Sequence, residues 1–173
     1  MSTQRTGGTM YLLAIIVFIA LMTLLFSDQI ERNHNPNQSV LSDRASDGSL
    51  RIRLERNRAG HYIATGAING VTVDCMVDTG ATNVAVSAAV AEAAGLQRGP
   101  SVQTMTANGP ATAYATVIDE LRLGELVLRD IPAAIVPALE EGQVLLGMSY
   151  LERIDFSQRG EELILEPRQP HMP

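Results

Sequence analysis

The sequence has no lysine and no tryptophan, one cysteine, and seven aromatic residues in all. Without lysine there is no side-chain amine for a Schiff base and no P-loop lysine to meet a phosphate. The one thiol, Cys75, cannot close an internal disulfide, so cysteine usage is silent about the redox compartment. The three histidines, His34, His61 and His171, lie far apart and match no metal-ligand spacing, so neither a metal nor a cofactor is expected. Nucleic acid is an unlikely partner for a chain with net charge −6 and so few rings, because binding wants a basic groove and stacking platforms. What is present is apolar: 46% hydrophobic against 18% charged residues excludes wholesale disorder. A length of 173 residues allows one ordinary domain and an appendage.

Residues 10–26, MYLLAIIVFIALMTLLF, carry no charge, and as a helix they would span about 25 Å. A run apolar on every face at the N-terminal end reads as a transmembrane helix rather than a core helix. The following Leu24-Leu25-Phe26-Ser27-Asp28 is a poor cleavage site, which favours an uncleaved anchor over a signal peptide. Arg5 and the terminal amine precede the run, while Asp28, Glu31 and Arg32 follow it. The positive end stays inside, so residues 1–9 are expected in the cytoplasm. The chain is then a single-pass inner (cell) membrane protein with its main domain periplasmic or otherwise extracytoplasmic. Residues 27–49 are polar and aperiodic and read as a flexible linker.

From residue 50 to 168 the pattern is of many short strands. Leu50, Ile52 and Leu54 alternate with charged neighbours; Tyr62–Ala67 follows a turn at Ala59-Gly60; Asn69-Gly70 is a strong hairpin signal. Val71, Val73, Cys75 and Val77 then alternate with Thr72, Asp74 and Met76. Ser87–Gly95 fits one short helix, 102–123 a long hairpin, 126–136 and 144–146 further strands, and 163–165 a last one. A mainly β, closed, barrel-like sheet is expected, with 169–173 as a C-terminal tail. A faint echo links the segment from Ile68-Asn69-Gly70 to Asp78-Thr79-Gly80 with that from Leu123-Gly124 to Leu145-Leu146-Gly147, which suggests two similar halves.

Asp78 ends an apolar strand in Met76-Val77-Asp78-Thr79-Gly80-Ala81-Thr82. An isolated Asp-Thr-Gly would read as an Asx-turn. Here apolar strands flank it on both sides, including Val84 and Val86, and a carboxylate set against apolar neighbours is costly unless it has work to do. Gly80 permits a sharp turn and close approach of a ligand or second chain. Other candidates read as structural. Gly147-Met148-Ser149-Tyr150-Leu151 lacks the final glycine of a nucleophile elbow, His61 follows a turn, and Cys75 lies on the apolar face of its strand.

These blocks resemble the retropepsin-like aspartic proteases, and most closely their bacterial, membrane-anchored, single-domain branch. The matching pieces are Gly60-His61-Tyr62, Ile68-Asn69-Gly70, Val77-Asp78-Thr79-Gly80-Ala81-Thr82, Thr106-Ala107-Asn108-Gly109 and Leu145-Leu146-Gly147-Met148-Ser149-Tyr150-Leu151, in the family's order. The resemblance implies an acid-protease barrel in which Asp78 is catalytic. It implies that Thr79 interlocks with its counterpart across a dimer, Gly80 gives close approach, and Thr82 bonds the outer carboxylate oxygen. It further implies that Leu145, Leu146 and Gly147 pack beneath the catalytic loop. Thr106, Ala107, Asn108, Gly109 and Pro110 would form the flap over substrate. Two departures are visible: Met148 stands where viral members carry a polar residue, and the flap is not glycine-rich. Aspartic peptidases need two carboxylates sharing a proton, and this chain has one Asp-Thr-Gly, so a homodimer acting on a protein or peptide substrate is expected. The rival expectation is a catalytically silent module holding an extended peptide in the same cleft.

Overall fold

The computed structural model describes residues 3–44, 48–106 and 109–168. Its centre is a six-stranded closed barrel. The strands are β3 (Ile63–Ile68), β4 (Val71–Val77), β5 (Val84–Val86), β7 (Gly109–Leu123), β8 (Leu126–Ile135) and β9 (Val144–Leu146), in the order β3-β4-β9-β5-β8-β7. The ring closes where Ala67 and Ile68 of β3 pair with Arg122 and Leu121 of β7. That crossing is tight, since a Cβ on Gly66 would lie 2.6 Å from the Arg122 carbonyl oxygen. Closure leaves no free edge in the ring, which is how this small mixed sheet avoids unpaired backbone. Strand β6 (Ser101–Thr106) lies outside the ring and, among the described residues, pairs with β7 alone, forming a projecting hairpin.

The hydrophobic alternation explains which side chains fill the barrel. Val73 and Cys75 point inward from β4, and Ile118, Leu121, Ile131 and Ile135 do so from the β7–β8 hairpin, all buried. Asn69 and Gly70 both take positive φ, as the two-residue turn between β3 and β4 requires. A second, four-stranded antiparallel sheet has the order β1-β2-β11-β10, built from β1 (Leu41–Arg44), β2 (Leu50–Glu55), β10 (Ile154–Arg159) and β11 (Glu162–Pro167). Ile52, Leu54, Leu163 and Leu165 join it to the same core.

The faint internal echo is matched in part by a symmetry of the pairing: the turns at Asn69-Gly70 and Gly124 correspond, but Asp78-Thr79-Gly80 answers to the connection after β8 and not to Leu145-Leu146-Gly147. Exchanging β3-β4-β5 with β7-β8-β9 leaves the barrel topology unchanged. The parallel pair β4–β9 maps onto the parallel pair β5–β8, and the hairpins β3–β4 and β7–β8 onto each other. Each half ends in a short helix, α2 (Ala88–Ala93) and α3 (Met148–Leu151).

The N-terminal helix α1 runs from Thr3 to His34 and is exposed along its apolar stretch. From Met10 to His34 it is long and apolar enough to cross a bilayer, a property shared by a membrane span and a signal sequence. The flexible linker expected over 27–49 meets a different local structure. Residues 27–34 continue the helix, Asn37 bridges Ala64, and 41–44 form β1 against β2. Its polarity hid this, because the stretch is fixed by amide hydrogen bonds and strand pairing rather than by an apolar face. Strand β10 was also unmarked in sequence. Only Ile154 in it is buried, and it forms because β11 folds back on it across Gly160, at positive φ.

Candidate active site

Asp78 is the residue at which β4 stops pairing with β3 and the chain turns. Its main-chain N–H donates to the Leu146 carbonyl oxygen at 3.1 Å, while the preceding Val77 N–H donates to Tyr62 at 2.9 Å. The carboxylate is half-buried. Its Oδ1 accepts from the Gly80 N–H at 2.9 Å, which folds the Asp-Thr-Gly loop back on itself. This is the Asx-turn geometry, and here it aims the carboxylate into a cleft.

The loop 78–83 is locked to the segment after β9. Met148 N–H donates to the Ala81 carbonyl at 2.8 Å and Ser149 N–H to the Thr82 carbonyl at 3.0 Å. Between them lies Gly147, where a Cβ would fall 2.2 Å from the Asn83 carbonyl oxygen. Only a residue without a side chain allows these two loops to stack at that distance. The Ser149 hydroxyl accepts from Val84 N–H at 2.9 Å and donates to the Pro132 carbonyl at 2.7 Å. Its proton is committed to main-chain bonding between β5 and β8, so Ser149 is a brace and not a nucleophile.

The cleft has a volume of about 610 Å³. Its floor carries Asp78, Gly80, Thr82 and Leu145; Thr104, Met105 and Thr106 of β6 overhang it; and the loop after β8 supplies Leu139, Glu140 and Gln143 as a third wall. By the internal symmetry, that third wall is the counterpart of the Asp78 loop, since 78–83 and 136–143 are equivalent connections. Asp78 and Glu140 are the two charged residues among those lining the cleft, and both are acidic. The rest of the lining is mostly apolar or neutral. Among the described residues no group of three or more His, Cys, Asp or Glu gathers as a metal site.

Of the expected site residues, Asp78, Gly80, Thr82, Leu145 and Thr106 come together on the cleft. Thr79 is exposed on the outer side of the loop, and Leu146 and Gly147 lie behind it, Leu146 fully buried. Thr82 lines the cleft without bonding the carboxylate within one chain; among the described residues the bond comes from Gly80. At the end of the β6–β7 hairpin, where the flap is expected, Thr106 pairs with Gly109 and its hydroxyl donates to the Gly109 carbonyl at 2.8 Å. Pro110 pairs with Met105, and Ala107 and Asn108 lie outside the described residues. His61 is exposed in a turn and away from the cleft. Cys75 is buried on the inward face of β4, and burial, with a smaller contribution from Asp74, pushes its thiol up to about 12.

Sequence reasoning missed Met105 and the Leu139–Gln143 wall. Met105 is the most exposed apolar side chain of the barrel domain, at 77%. The β6–β7 alternation could have placed it on the overhanging face, but no motif marks the wall, which owes its position to the β8–β9 connection.

A family model described as "gag-polyprotein putative aspartyl protease" matches residues 64–153. The crystal structure of a retropepsin-like aspartic protease from Rickettsia conorii is 30% identical, with a TM-score of 0.56, covering 66% of this chain and 98% of that one. An uncharacterized protein in the cobV 5′ region of Sinorhizobium sp. is 35% identical over 131 residues, 73% of this chain. The chain spans 55% of the length of that curated relative. The chain belongs to the retropepsin-like aspartic protease family, in both sequence and fold.

Proposed function

We propose that the protein is a membrane-anchored aspartic endopeptidase whose active form is a homodimer. The observation that carries this is the placement of Asp78: a half-buried carboxylate on an apolar cleft floor, beneath an overhanging hairpin, in a loop braced from behind. Hydrolysis of a peptide bond needs one carboxylate to take a proton from water and a protonated partner to polarise the carbonyl. Two like charges about 3 Å apart cannot both ionise, so an adjacent pair divides into acid and base. One chain supplies one such carboxylate, so Asp78 of two subunits would form the pair about a twofold axis.

In this reading Thr79, exposed beside the loop, meets its counterpart in the partner. Gly80 holds the carboxylate by its N–H, and Thr82 is within the cleft to bond the outer oxygen once the pair assembles. Leu145, Leu146 and Gly147 support the loop, and residues 106–110 close over the peptide. Residues 10–26 cross the membrane with residues 1–9 in the cytoplasm. Anchoring would raise the local concentration of partners and favour the dimer.

The test is cleavage of a peptide library by the full chain in detergent at a series of protein concentrations. Specific activity that rises with concentration, is blocked by a statine-type transition-state analogue and is untouched by chelators or serine reagents supports the reading. Activity per chain that is constant down to concentrations where only monomer exists would sink the paired-carboxylate mechanism. Peptide binding without cleavage would instead favour a silent binding module.

A further inference from the structure

Three asparagines are buried where the anchor helix meets the barrel: Asn35 at 2%, Asn37 at 5% and Asn57 at 8% exposure. Buried amides are rare unless their hydrogen bonds are met, and here they are met by groups from several elements. Asn35, the residue after the helix, donates from Nδ2 to Asp74 Oδ1 at 2.8 Å and to Thr65 Oγ1 at 2.9 Å. Its Oδ1 accepts from the Asn37 N–H at 2.9 Å. Asn37 donates from Nδ2 to the carbonyls of Glu55 and Ile63, accepts on Oδ1 from Glu55 N–H, and receives the Thr65 N–H on its own carbonyl. Asn57, in the turn after β2, donates to the carbonyl of His34, the last residue of α1. The helix end is therefore capped by the barrel itself, and the clasp grips β2, β3 and β4 together.

The consequence is mechanical. A flexible linker over 27–49 would let the barrel wander roughly 25 Å from its attachment. Instead, helix continues from the apolar run to the clasp, and Phe26 to His34 adds a rigid rise of about 12 Å. A domain of this size is roughly 35 Å across.

We propose that α1 and the barrel move as one body, so that the cleft is held within roughly 50 Å of the bilayer and the substrates are extended juxtamembrane segments of membrane-anchored proteins. This rests on the reading of the protein as a membrane-anchored protease. Segments held farther out, however well they fit the cleft, are beyond its reach.

Rigidity is tested without catalysis. Spin labels go on cysteines introduced at Gln29 and Thr72, both exposed, in the full chain reconstituted in vesicles of phosphatidylethanolamine and phosphatidylglycerol. The native Cys75, fully buried, does not compete for label. A single narrow inter-label distance is expected, broadened in Asn57→Ala and further in Asn35→Ala/Asn37→Ala; a broad distribution in the otherwise wild-type chain overturns the proposal. Reach is tested in the same vesicles with single-pass peptides carrying a cleavage sequence selected by this protein from a library. One peptide places it next to the membrane, the other beyond a polyproline spacer of about 30 residues, roughly 90 Å long. The near site is expected to be cut at least about tenfold faster, and a Gly/Ser insertion of about 40 residues after Ser27, with a contour well over 100 Å, is expected to bring the two within about threefold. Equal cleavage by the uninserted chain overturns the short-reach proposal and leaves the protease reading standing. Cleavage of neither site by either form, nor of the free library peptide, overturns the protease reading and this inference with it.

Discussion

The Asp78 N–H donates to the Leu146 carbonyl oxygen at 3.1 Å, joining the end of β4 to the end of β9, 68 residues later. Through this bond, and the Met148–Ala81 and Ser149–Thr82 bonds beside it, the loop carrying the carboxylate is held from behind by the end of β9 and the start of α3, in the other half. Among the described residues the carboxylate itself takes one bond, from Gly80. Support and chemistry are thus assigned to different atoms of the same loop.

That division predicts the outcome of Asp78→Asn. The amide keeps an oxygen for the Gly80 N–H but cannot act as a base. Cleavage should fall by about 10³-fold. Unfolding free energy should change by no more than about 0.5 kcal/mol, as urea denaturation would read. Comparable losses of activity and stability would instead make Asp78 a structural residue.

Gly147→Ala should do the reverse. Its methyl group would sit 2.2 Å from the Asn83 carbonyl oxygen and 2.6 Å from that of Ala81, both backbone atoms that cannot swing away. Destabilisation of about 3 kcal/mol or more is expected, with activity lost through displacement of loop 78–83. A variant that unfolds at the wild-type urea concentration would show that the two loops have room to separate.

Asn37→Ala removes a side chain that satisfies the Glu55 N–H and the carbonyls of Glu55 and Ile63. Leaving buried partners unmet should cost about 2–4 kcal/mol. The loss should appear in thermal unfolding of the barrel, since the clasp grips β2 and β3; an unchanged melting temperature would show that solvent replaces the amide.

Alkaline pH should weaken the fold. The Cys75 thiol is raised from 9.0 to about 12 by burial, and burial raises the Tyr150 hydroxyl above 10.0 as well. Above those unfolded values the unfolded chain releases protons that the folded chain retains, so stability falls as pH rises. It should be level up to about pH 9 and then decline by up to about 1.4 kcal/mol per pH unit for each group titrating. Urea midpoints between pH 7 and 11 check the sign. Alkylation of Cys75 in native protein at pH 8 should be far slower than in urea.

Much of the barrel was legible because its strands alternate cleanly. Residues 71–77 and 144–146 are strands with the boundaries read from Val71–Val77 and Val144–Leu146. Gly95 follows α2 at positive φ, as the glycine closing 87–95 foretold, and Ser87 caps the helix by accepting the Val90 N–H. The segment around Asn35 and Asn37 reads as a flexible linker because it is polar and aperiodic. It is buried because its amides meet carbonyls and hydroxyls that only the folded β2, β3 and β4 bring within reach. The wall at Leu139–Gln143 has neither alternation nor a motif, so its place on the cleft had no local signature.

The sequence alone determined the apolar N-terminal helix, the mainly β barrel and the turn at Asp78-Thr79-Gly80, because each depends on hydrophobic period or backbone freedom within a few neighbouring residues. The tertiary structure decided which distant strands brace Asp78, what forms the opposite wall of the cleft, and how the helix end is clasped. Those depend on hydrogen bonds and packing between residues 20 to 70 positions apart, which chain closure sets and local pattern does not.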